Sequence, residues 1–283
     1  MPARPELWGS QRYFAWLYSP PRLRAALDPL LGIVSEIRSA LGRELDHGAA
    51  HMRLTWWREE CERFAAGAAV HPLMRALGTA FRGDALSPLG LVDAAVWDLA
   101  AATFASRAEL EGYCERWAAA VTQIAAEAAV EDRVARVEAS RFGRTVGIAL
   151  HEIELLANLV GDARSGRLRV PLDELEQAGL TPDMLARPPW PHQLAELIRK
   201  RLRELRQKLA AGVAALPASS QPSLRGLIVW AALARRQAQR LERALPYPAR
   251  VGRMTRAADV WIAWRAAHQA ERAVFSFAAE VVP

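Results

Sequence analysis

Apolar residues recur at three- and four-residue spacing along almost the whole chain, and no stretch alternates apolar and polar positions as a half-buried strand would. The spacing predicts helices at about 21–41, 49–66, 71–83, 89–103, 107–130, 133–164, 192–214, 222–244 and 254–279. Pro20-Pro21 opens the first of these, since proline suits a first helical turn. The longest ends at Ser165-Gly166, and a short helix follows Pro171. Pro188, Pro189 and Pro191 mark a loop ahead of the last three helices. No break is long or polar enough to be a linker, and no repeat of solenoid period appears. Residues 1–283 therefore read as a single all-α domain.

Composition narrows the function. Hydrophobic residues make up 52% of the 283, enough for a sizeable core, which excludes a disordered chain. The net charge of +6 suits an anionic partner, yet the basic residues are spread along the chain rather than gathered in one tail. Among the 37 basic residues only Lys200 and Lys208 are lysines. The most basic segment, IRKRLRELRQKL, carries Leu202, Leu205 and Leu209 at helical spacing, so its arginines form the wet face of an amphipathic helix rather than a nucleic-acid site. Adjacent Trp56 and Trp57, like the other tryptophans, read as core. Cys61 and Cys114 form neither a metal pattern nor a disulfide framework. No signal-peptide core opens the chain, and no apolar run approaches the roughly 20 residues needed to span a bilayer. A cytoplasmic protein is expected, peripheral to the inner membrane face at most.

One helix carries a pattern with chemical meaning. Between Phe142 and Arg167, with Asn158 taken as zero, His151 falls at about 20°, Glu154 at about −40° and Asp162 at about +40° around the axis. Four polar groups thus share one face over about three turns, flanked by Ile, Leu, Ala and Val. Such a strip faces solvent, or is satisfied by neighbouring helices, or lines an internal cavity. Residue type alone does not choose.

The segment FGRTVGIALHEIELLANLVGDARSGRLRVPLDELEQAGL resembles the second signature of the squalene/phytoene synthase family, whose helix ends in a stretch close to DARRGRxYLPxDxL. RYFAWLYSPPRLRAAL resembles the family's opening helix and turn. RLTWWREECERFAAGAAVHPLMRAL resembles its RLxWWRxEL…HPV…AL stretch, and ELEGYCERWAAAV its central helix. LPYPARVGRMTRAADVWIAWRA resembles the C-terminal pair. The resemblance implies an isoprenoid-synthase-type helical bundle around a central cavity. It also implies head-to-head joining of two prenyl diphosphates, with magnesium held by carboxylates on two facing helices.

The matched positions depart from that chemistry. In LLGIVSEIRSALGR the family's aspartates are replaced by Arg38, Ser39 and Gly42, and Glu36 lies about 200° round the helix from Arg38. In the second signature Asp162 is kept, Asn158 stands for an aspartate, His151 for a glutamine, Glu154 for an asparagine and Gly161 for an acid. Tyr113 is kept on the central helix, while Trp117, Ala119 and Thr122 replace smaller residues and are expected to narrow the prenyl tunnel. Arg250 matches a basic position near the diphosphate.

The resemblance thus assigns Arg38, Tyr113, His151, Glu154, Asn158, Asp162 and Arg250 to substrate or diphosphate binding. Glu154 and Asp162 are left as ligands for one magnesium ion at most, and an ion pair from Arg38 to either would close the metal site. Besides an intact synthase that uses an unusual metal shell, two functions follow. One is a protein that binds an isoprenoid diphosphate or related apolar lipid, with magnesium-dependent prenyl transfer weakened or lost. The other is a non-catalytic assembly or interaction protein with a protein partner, resembling the respiratory complex I assembly factors of the same family.

Overall fold

The computed structural model describes residues 9–41, 46–80, 87–248 and 257–277, and helices are the only regular elements among them. α1 (Gln11–Tyr18), α2 (Pro21–Ser39), α3 (His47–Ala65), α4 (Pro72–Ala80) and α5 (Leu89–Leu99) make the N-terminal part. α6 (Arg107–Ala118) runs through a π turn at Ala119–Gln123 into α7 (Ile124–Ala128). α8 (Arg133–Arg164), α9 (Leu172–Gln177), α10 (His192–Ala214), α11 (Gln221–Ala244) and α12 (Ala257–Glu271) complete the chain. No described helix is long and apolar enough to cross a membrane.

α8 is the axis of the bundle. Its 32 residues begin where the Asp132 side chain accepts a hydrogen bond from Ala135 N, 2.8 Å away. It ends just before Gly166, whose φ of +82° suits a residue without a side chain. α6, α7, α10 and α11 pack around α8, while α2 packs on α4, α5 and α7. α1 lies on α11 and also touches α12. Buried side chains form one continuous apolar cluster from Phe14 to Phe275.

Where the expected helices differ, a local contact explains it. The element expected at 107–130 is interrupted by the π turn, a one-residue widening that re-aims the side chains after it. That turn places Thr122 against α8, where its hydroxyl donates to Gly143 O at 2.7 Å. A Cβ at Gly147 would stand 1.9 Å from Thr122 Oγ1, so the two helices approach this closely only because α8 carries glycine there. Thr122 therefore does not narrow a tunnel, as its bulk suggested. It is spent on helix packing. The expected final helix also stops early: Ala273 takes φ +59°, and Phe275 exchanges two hydrogen bonds with the Gln221 side chain.

Candidate functional site

The polar stripe on α8 is buried at one end and open at the other. His151 is buried, Glu154 and Asp162 are half-buried, and Asn158 is exposed. The His151 ring lies parallel to Trp117, with centroids 4.5 Å apart, and stacks on Tyr113 at 5.5 Å. Trp230 of α11 meets Trp117 edge-on at 6.0 Å. The space beside His151 is thus filled by aromatic side chains. Neither ring nitrogen of His151 has a hydrogen-bond partner among the described residues, and burial pushes its pKa down despite the nearby Glu154.

Glu154 is the electrostatic centre. Arg12 of α1 donates to both carboxylate oxygens, at 2.9 and 2.7 Å, and Arg38 of α2 donates to Oε1 at 3.1 Å. Burial alone would raise this carboxyl. The Arg12 and Arg38 guanidinium groups outweigh it and hold Glu154 well below the usual carboxylate range. The Arg12 guanidinium also lies about 6 Å from the Trp117 and Trp230 rings, which ties the ion pair to the aromatic stack.

A second arginine holds the other end. Arg169, buried in the loop after α8, donates to Asp98 of α5 at 2.7 Å and to Asp162 at 3.3 Å. The Tyr113 hydroxyl donates to both oxygens of Asp98 at 3.1 Å. Burial keeps the Asp162 carboxyl above its ordinary value, although Arg169 acts against it. Asn158 turns its amide back to donate to Glu154 O at 3.0 Å.

This helical fold has known counterparts. The profile of the squalene/phytoene synthase family matches residues 8–256. The chain belongs to that family. A phytoene synthase of Rhodobacter capsulatus is 27% identical over 141 residues, which is 48% of this chain and 41% of that protein's length. Among solved structures, a dehydrosqualene synthase in complex with ligand superposes with a TM-score of 0.75 at 16% identity, covering 93% of this chain and 92% of the other. The squalene synthase HpnC from Alicyclobacillus acidocaldarius gives 0.63 at 20% identity, covering 81% and 87%. At those identities the structural likeness speaks for the fold.

Against the family's magnesium chemistry, the donors of this chain are already engaged. Glu154 is shared by two arginines and Asp162 by one, and a divalent cation would have to displace guanidinium from each. As paired here they do not fit a magnesium shell. Among the described residues no group of three or more His, Cys, Asp or Glu is placed to hold a metal ion.

The structure brings Arg38, Tyr113, His151 and Glu154 together, with Asp162 joined through Arg169 and Asp98. Glu36 is exposed, away from the stripe. Arg250 and Gly42 lie outside the described residues. Arg12, Asp98, Arg169 and Trp230 are members of the site that sequence reasoning missed. For Arg169 a signal existed: the matched signature reads tyrosine where this chain has a charge. Asp98 was visible only as one of two acids, with Asp93, on a largely apolar helix.

Proposed function

We propose that this chain is a squalene/phytoene synthase-like protein that binds an isoprenoid diphosphate or a related lipid, and that magnesium-dependent head-to-head prenyl transfer is weakened or lost in it. Residues 1–283 act in this reading as one domain. The observation that carries it is the arginine pairing of both stripe carboxylates: Glu154 with Arg12 and Arg38, and Asp162 with Arg169. Prenyl transfer depends on stabilising the leaving diphosphate more than the bound substrate, and the family does this with metal held by carboxylates. Here the positive charge is built into the chain. Arg38, with its side chain 44% exposed, is free to exchange Glu154 for a phosphate oxygen, and guanidinium matches phosphate geometry well. Asn158 adds an exposed polar group along the same face.

A second reading, a non-catalytic assembly protein, has its own support. Tyr113, Trp117 and Trp230 occupy the space beside His151 that a long prenyl chain would need.

Titration calorimetry with farnesyl and geranylgeranyl diphosphate, with and without magnesium, separates the two readings. The lipid-binding reading expects metal-independent binding that Arg38→Ala weakens. No binding by either diphosphate would leave the assembly reading standing. Formation of squalene or phytoene within a hundredfold of an ordinary synthase, about 2.7 kcal/mol of barrier, would defeat both.

A further inference from the structure

We propose that the outer face of α12 is a docking surface for a bilayer carrying anionic phospholipid headgroups. The inference rests on that surface and not on the reading of the internal site. α12 turns its small residues inward: Ala263, Ala266, Ala267 and Ala270 are buried. Its large ones point out, with Val260 43%, Trp261 57% and Trp264 45% exposed. That reverses the order in which side chains leave water, since tryptophan gains far more from burial than alanine. Trp117, Trp190 and Trp230, by contrast, are all buried. The core reading of the tryptophans therefore fails on α12, as it does for Trp56 of α3, which is 39% exposed. The exposed rings are also ordered: Trp261 stacks on Trp264 at 4.9 Å, and Trp264 on His268 at 5.4 Å. Together they form an apolar ridge about two turns long.

The charges around the ridge select the partner. Asp259 is turned inward, where it accepts from Arg240 at 2.6 Å, and the Glu271 carboxylate is 3.7 Å from Arg225. Arg265 and Arg272 are exposed beside the tryptophans. The chain as a whole carries a net charge of +6. Indole rings settle at the headgroup level of a bilayer, and arginine pairs with phosphate there. A single convex ridge offers little of the roughly 800 Å² per partner that a stable protein interface buries, whereas a bilayer needs no complementary pocket.

Co-sedimentation of the whole protein with vesicles tests this. Binding is expected to phosphatidylcholine vesicles that contain phosphatidylglycerol, not to phosphatidylcholine alone, and to weaken with salt. Trp261→Ser/Trp264→Ser should weaken it by about tenfold or more while leaving the melting curve unchanged. Arg265→Glu/Arg272→Glu should do the same through charge. Absence of binding to the anionic vesicles, or equal binding by parent and tryptophan variant, overturns the proposal. So does vesicle-free self-association that the tryptophan variant abolishes, because the ridge would then be a contact between copies of this chain.

Discussion

Arg12 on α1 closes a two-pronged ion pair on Glu154 of α8, a residue 142 positions away in the chain. The two do different work from the pair formed by Arg38. The Arg12 side chain is 14% exposed and lies beside two tryptophans, while that of Arg38 is 44% exposed and contributes one hydrogen bond. A charge left unpaired under cover costs several kcal/mol, whereas an exposed pair is screened by water.

Arg12→Ala is therefore expected to destabilise the protein by about 1–2 kcal/mol, since Arg38 still pairs half-buried Glu154, and Arg38→Ala by less than about 1 kcal/mol. Denaturant unfolding of the two variants and the parent measures both. Equal losses would mean that the two arginines hold Glu154 in the same way.

Arg169 stands between Asp98 and Asp162 as a built-in cation. Arg169→Ala should cost about 3 kcal/mol, because two acids in a partly buried setting lose their counter-charge. Added magnesium or manganese should then raise the melting temperature of the variant and not of the parent, since a ligand bound only by the folded state stabilises it. An unchanged melt with metal would show that the two carboxylates do not converge once the arginine is gone.

On the far side of α8, Glu152 is buried, and desolvation pushes its carboxyl up to about 7 although Arg107 donates to it. A carboxyl whose folded pKa is raised holds its proton longer when folded. Its contribution is present below about 4.5 and is lost as pH rises through about 7. Glu152→Gln should flatten that decline in stability. Glu154 has the opposite sign: with its carboxyl held low, stability is lost as pH falls below the ordinary carboxylate range. Unfolding free energies measured from pH 3 to 8, a range of about five units, follow the two opposite slopes.

Gly147→Ala would drive a methyl group into Thr122 Oγ1 and within 2.8 Å of the Ala118 side chain. A loss of about 1–3 kcal/mol is expected from overpacking. Combining it with Thr122→Ala should recover part of that loss, because the hydroxyl is the nearest obstacle. A double variant no better than the single one would place the strain at Ala118.

The helical class, most helix boundaries and the stripe on α8 were legible in the residue pattern alone. Periodicity and helix end signals act over a few residues and need no partner. His151, Glu154, Asn158 and Asp162 could be placed on one face by counting alone, and Arg38 could be recognised as a charge where a synthase has an acid. What neutralises the stripe was decided by the tertiary structure. Arg12 reaches Glu154 because α1 closes on α11, and Asp98 meets Arg169 because α5 and the loop after α8 converge there. The direction of Thr122 depended on a π turn, and the exposure of Trp261 and Trp264 on which face of α12 meets α11. Ion pairs and burial are properties of what surrounds a side chain, and those surroundings are assembled from elements far apart in the chain.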